Sequence, residues 1–185
     1  MECSEVLRSL ALVLALPVLA ACSETVVESA NGNGPETEEP TCTGLVAIAD
    51  LPPELPEASG IARDPRRDDL LWLHNDSGND AVLFATDTAG RLVASVGIID
   101  ASSQDPEDLA VARCPEGWCL FYADFGDNGA VRPDLFIHRI PLPPEPDGAG
   151  APADPASPAA TYWIRYPTGP RDAESLIVDA GRGEP

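Results

Sequence analysis

The sequence predicts an all-β fold, and within that class a β-propeller whose blades repeat at about 50 residues, about two and a half of them lying in the chain. Three observations predict it. A glutamate opens a short run that becomes apolar at Glu57 (EASGIA), Glu107 (EDLAVA) and Glu174 (ESLIVD). After the first two, at nearly the same interval, comes a second apolar run that ends in a polar, glycine-containing turn: LWLHNDSGN from Leu71 and LFYADFGDN from Leu120. Helical periodicity is almost absent, and the strands read as unbroken apolar runs (LLWL, CLFY), as they do when both faces of a sheet are covered. A β-sandwich is the alternative, because it also strings short strands at regular spacing.

The elements follow in order. Residues 10–20, LALVLALPVLA, are eleven apolar residues, too few to span a bilayer and the right number for a signal-peptide core. They run into Leu19-Ala20-Ala21-Cys22, which resembles the lipobox of bacterial lipoproteins. The resemblance implies removal of residues 1–21 as a signal peptide and acylation of Cys22. Several acyl chains together anchor a protein stably where one does not. The charge ahead of the run departs from the pattern, since Arg8 is accompanied by Glu2 and Glu5. Residues 22–41 have few large apolar side chains and many acidic and turn residues, the composition of a flexible tether. The folded part, a partial propeller, is expected over residues 42–185.

Within it the first two glutamates are 50 residues apart and the next pair 67. The excess is accounted for by 141–160, PLPPEPDGAGAPADPASPAA, whose seven prolines and six alanines are expected to exclude strand and helix. Residues 143–160 are read as an insertion. A further strand follows each turn, AVLFATD from Ala81 and DLFIHRI from Asp134. Closing a propeller takes about 4–8 blades. The chain is therefore expected to be a piece of a longer protein, with blade faces and strand edges open to aggregation.

Thirty-one acidic residues stand against eleven basic ones, all arginine, for a net charge of −20. That balance excludes nucleic acid as a partner, whose phosphates need a basic footprint. It fits a soluble surface exposed to cations.

In a propeller, equivalent positions of successive blades converge on one ring. Glu57, Glu107 and Glu174 are equivalent, as are Asn75 with Asp124 and Asn79 with Asn128. Oxygen donors arriving from separate blades suit Ca²⁺, which takes about 6–8 of them. The candidate ligands are Glu57, Glu107, Glu174, Asp124, Asp127, Asn128, Asn75 and Asp76. Against this, Asp and Asn also close tight turns through their own backbone, which is the simpler reading of Asp127, Asn128 and Gly129. The alternative for the glutamates is an ion pair with Arg63, Arg113 or Arg132. His74, beside Asn75 and Asp76, is a candidate base or metal ligand, whereas His138 reads as a strand residue. Glu107 and Asp108 are neighbours in a strand and point to opposite faces. No G-x-S-x-G, H-E-x-x-H, P-loop or dinucleotide fingerprint is present, and Asn75-Asp-Ser77 matches a glycosylation sequon by chance.

Cys114 and Cys119 enclose PEGW, a turn between two strands, at a separation a disulfide can bridge in an oxidising compartment. Cys42 is then left over.

The motifs EASGIA, LWLHNDSG, LFATD, PEDLAV, LFYADFGDN and YPTGPRDAESLIVD, in that order over about residues 55–180, resemble a group of secreted bacterial β-propeller proteins. They are similar in general build to phytase-like and NHL-type propellers. The resemblance implies a fold and an extracytoplasmic location. The acidic signature of calcium-dependent propeller phytases is not evident, so no phytase activity is carried over. The reading of function is a lipoprotein tethered to the bacterial cell envelope, calcium-stabilised, that acts as a binding or scaffold module for a protein, glycan or small molecule. The alternative is a metal-dependent hydrolase of a phosphoester or lactone.

Overall fold

A computed structural model describes residues 47–146, 150, 152–179 and 185, and the chain divides into two units, Met1–Ala47 and Ile48–Pro185. The stretches read as signal peptide and tether, with Cys22 and Cys42, lie outside the described residues.

The second unit is all-β, with no helix among the described residues. Strands β1 (Ala58–Arg63), β2 (Leu70–Asn75), β3 (Val82–Asp87) and β4 (Leu92–Gly97) form one sheet. Strands β5 (Pro106–Cys114), β6 (Gly117–Asp124), β7 (Leu135–Pro141) and β8 (Ala160–Ile164) form the other. Both are antiparallel meanders in chain order.

The apolar runs become the strands covered on both faces. Leu70, Trp72, Leu83, Ala94 and Val96 of the first sheet pack against Leu109, Leu120, Tyr122 and Ile140 of the second. Burying each large apolar side chain stabilises the fold by roughly 1.5–3 kcal/mol. The far face of the first sheet is covered by Leu55 over Leu73 and Phe84. The far face of the second carries Phe121, Leu135 and Ile137, with Ala173, Leu176 and Val178 packed on them.

Register adds a row of rings. His138 lies opposite Tyr122, and Trp163 opposite Phe136. Centroids are 5.8 Å apart from Trp163 to Phe136, 6.1 Å to His138, 6.3 Å to Tyr122 and 4.9 Å on to His74 across the sheet interface. Such cross-strand pairs are the unit of sheet stabilisation. The two sheets approach each other through β5, which meets β1 and β2.

Two expectations are refined. The stretch 143–160 forms no strand before Ala160 among its described residues, as expected, but it is tied to β4 by isolated bridges. Gly150, Ala153 and Ala156 donate their N–H groups to the carbonyls of Val93, Ser95 and Gly97 on β4 at 2.8–2.9 Å, and Pro152 and Ala156 bridge to Ser95 and Ile98 in parallel. Proline cannot donate, so the donors come from the residues between prolines. The strap advances three residues for every two of β4, which no regular strand does. It covers an edge that would otherwise template pairing with other chains. Arg66, held by Asp64 at 2.7 Å, clamps its start through the Pro143 carbonyl at 2.8 Å, and β8 begins at Ala160, the last residue assigned to the insertion.

The run after Glu174 is not a strand over 174–178. It lies against β5 by another route, the Leu176 N–H donating to the Asp108 carboxylate at 2.7 Å.

Cys114 and Cys119 are bridged, with Cα atoms 5.9 Å apart. The turn is tighter than PEGW: Cys114 pairs with Gly117 and Cys119 with Ala112, so the disulfide is a diagonal on one face of the hairpin.

Candidate functional site

β5 opens on a bulge. Pro106 pairs with Asp124 and Asp108 with Ala123, which leaves Glu107 without an opposite residue. β1 is also irregular, between Ala58 and Ile61, but there the irregularity lies after Glu57 rather than at it. A bulge re-aims a side chain out of the alternating pattern, and the Glu107 carboxylate is delivered into a cluster of acids.

Two groups share it. Asp76, Asp105 and Glu107 offer oxygens within 4.8 Å of one another, and so do Glu107, Asp172 and Glu174. Asp76 follows β2, Asp105 precedes β5, and Asp172 and Glu174 follow β8, so three successive segments converge. Backbone bonds hold each one. The Asp76 N–H donates to the Glu57 carbonyl at 2.8 Å, and that of Asp105 to Asp124 Oδ1 at 2.8 Å. Asp172 Oδ1 accepts the Asp127 N–H at 2.6 Å. Gly126 backs onto the pocket: a Cβ there would overlap the Glu107 and Asp105 carboxylates.

Burial, followed by the charges of Glu174, Asp105 and Asp76, pushes the Glu107 carboxyl up to about 7. Its protonated form is the one that bonds Glu174. Burial and then Asp76 raise Asp105 as well, opposed by the Ser77 hydroxyl and by Arg132. Without a counter-ion Glu107 therefore holds its proton up to near neutral pH.

The other predicted residues have different partners. Asn75 is spent on the turn before β1, its Oδ1 accepting from the Glu57 N–H at 3.3 Å and its Nδ2 donating to the Glu54 carbonyl at 2.8 Å. Those bonds bury it and close the sequon. Asp124 does the equivalent before β5, accepting from the N–H groups of Gln104 and Asp105, and also binds Arg132 at 2.9 Å. Asp127 closes its own turn by accepting from Val131 and Arg132, as turn chemistry predicts. Asn128 is exposed. Glu57 stands outside both groups and accepts from Asn79 at 3.2 Å. Neither Arg63 nor Arg132 serves a glutamate, the first pairing with Asp68 and the second with Asp124, while Arg113 lies over the Trp118 ring.

His74, the candidate base or metal ligand, is a core residue. It sits in β2 at 1% exposure, Nδ1 on the Asn75 carbonyl at 2.9 Å and Nε2 unbonded and facing Gly60. His138 is a strand residue as expected: its Nε2 accepts the Ser102 N–H at 3.1 Å, so Nδ1 carries the proton towards Thr161 Oγ1 at 3.0 Å. Burial holds both imidazoles below their ordinary value and neutral.

Sequence reasoning missed Asp105 and Asp172. The signal was present: Asp105-Pro-Glu107 and Asp172-Ala-Glu174 are the same D-x-E, while Leu55 takes the aspartate's place before Glu57. Leu55 is buried in the core over Leu73, and the first repeat has no second acid to contribute.

No family model, curated protein or solved structure matches the chain.

Proposed function

We propose that the chain is a β-propeller lipoprotein of the bacterial cell envelope, anchored through acylated Cys22, and that it works as a binding or scaffold module whose repeats are joined by Ca²⁺ at the Glu107 cluster. Two successive four-stranded antiparallel meanders, with β5 approached by β1, are the arrangement that successive propeller blades would have, and a sandwich of two such sheets is compatible with them as well. The observation that carries the function is the convergence of four carboxylates, Asp76, Asp105, Asp172 and Glu174, on that of Glu107. All are hard oxygen donors, and Ca²⁺ suits such a set better than Mg²⁺, which demands a tighter octahedron. A cation there ties the loop after β2 and the segment after β8 to β5, which is a structural role. Hydrolysis is the second reading: Glu107, pushed up to about 7, lies in the range of a general base, while both histidines are buried in the sheets.

Calcium is expected to raise the melting temperature of the full chain relative to chelator. At free calcium about a hundred times its dissociation constant, mass action adds roughly 2.7 kcal/mol, or about 5–10 °C. In chelator, the contribution of Glu107 is fully present below its unfolded value near 4.5 and is lost as pH rises through about 7. Calcium should abolish that alkaline loss, and Glu107→Gln should both remove it and shrink the calcium shift. Equal melting curves in calcium and chelator at pH 8 would end the cation reading.

Anchoring has its own test. The full chain expressed in bacteria should incorporate labelled palmitate, and Cys22→Ser should not. A wild-type chain without label would remove the lipoprotein assignment.

A further inference from the structure

A second candidate site has a lining of its own, with none of the clustered acids in it. A cavity of about 290 Å³ opens between the stretch entering β7 and the stretch leaving β8. Arg132, Pro133 and Leu135 form one wall and Arg165, Tyr166 and Pro170 the other. The second wall is set by a turn in which the Gly169 N–H donates to the Tyr166 carbonyl at 3.2 Å, Gly169 adopting φ 96°.

Its chemistry runs against the rest of the molecule. On a chain of net charge −20, no acid lines this cavity, while two arginines do. Arg132 gives its terminal nitrogens to Asp124 and to the Gly126 carbonyl at 2.6–3.2 Å, but its buried Nε has no acceptor. Arg165 is two-thirds exposed at the rim, where a single oxygen of Asp134 takes its Nε and one terminal nitrogen at 2.5 Å. A planar guanidinium fork matches an oxyanion. The prolines, Leu135 and the Tyr166 ring offer apolar surface beside it. The volume lies at the small end of ligand pockets, which limits the occupant to about one ring.

We infer that this cavity binds a small organic oxyanion, a carboxylate or phosphate on a compact apolar body, with its charge at Arg165 and its body against Leu135, Pro133 and Pro170. The test is titration calorimetry of the full chain in chelator with benzoate and with phenyl phosphate, using benzylamine as a cation of the same shape. Both oxyanions should bind saturably and benzylamine should not, with the tighter of the two naming the carried group. Arg165→Gln, which alters one exposed ion pair and leaves the melting temperature unchanged, should weaken binding about tenfold. Arg165→Lys, keeping charge but losing the fork, should fall between. Arg171→Gln removes one positive charge outside the cavity and should leave affinity within about twofold, the effect of net charge alone. Benzylamine binding as tightly as benzoate, no oxyanion binding at millimolar concentration, or equal losses in Arg165→Gln and Arg171→Gln would each overturn the inference.

Discussion

Arg132→Ala is expected to destabilise the protein by about 3–5 kcal/mol, because it strands a carboxylate with no exposure at all. Asp124 closes β6 and is fully buried, and its Oδ1 is supplied by Gln104 N–H at 3.1 Å, Asp105 N–H at 2.8 Å and Arg132 at 2.9 Å. Its Oδ2 has no partner, so the guanidinium is the charge that makes burial of this group tolerable. Thermal unfolding should shift down by about 10 °C. Arg132→Ala with Asp124→Asn removes the stranded charge and should recover part of the loss. If the double variant is no more stable than the single, the loss comes from the missing bonds to the Gly126 and Asp124 carbonyls instead. If the single variant melts with the wild type, Asp124 has another counter-charge and the pair is not what secures the loop before β5.

That pair also shows where reading the sequence stopped. Asp124 and Asn75 are equivalent, as their positions at the end of the second apolar run implied. What they share is the task of holding the loop before the first strand of their own sheet, by accepting backbone N–H groups. A side chain that closes a turn and one that binds an ion are drawn from the same residue types, and only geometry separates them. The apolar strands and the cysteine hairpin were legible because each rests on local spacing. Glu107 and Glu174 were legible as a pair for the same reason. The expected ring of three glutamates was not realised, because acids meet between neighbouring segments, Asp76 with Glu107 and Glu107 with Glu174, and Glu57 lacks the preceding aspartate. The bulge that aims Glu107 depends on strand register, which the composition of a strand does not reveal. The strap on β4 was hidden by its prolines, which argue against a strand while leaving the intervening N–H groups free to make an edge.

Gly60→Ala is expected to cost about 3 kcal/mol or more, and Gly97→Ala, in the same sheet, close to nothing. Gly60 lies in β1 where the two sheets come nearest, and a Cβ there would stand 2.7 Å from the Leu109 nitrogen and 2.9 Å from the Asp108 carbonyl carbon, and would overlap the His74 ring. Two of those three neighbours are backbone atoms of β5 and cannot turn aside as a side chain would. The third is a buried imidazole packed on Tyr122 at 4.9 Å, so moving it disturbs the ring row as well. Overpacking of this kind typically costs about 1–3 kcal/mol, and here β1 must move off β5 to relieve it. The Ser59 hydroxyl bond to the Glu107 carbonyl, 3.0 Å long, spans the same joint and would stretch with it. Because Glu107 sits at that joint, the calcium-dependent rise in melting temperature should shrink in Gly60→Ala as well. At Gly97 the added methyl meets nothing within 4 Å and needs no positive φ, so it only removes freedom from the unfolded chain, worth about 0.4–1 kcal/mol in favour of folding. Urea unfolding of both variants measures the difference. Similar stabilities for the two would mean that β1 and β5 are not in backbone contact at Gly60, and the joint that brings the two sheets together over Glu107 would have to be placed elsewhere.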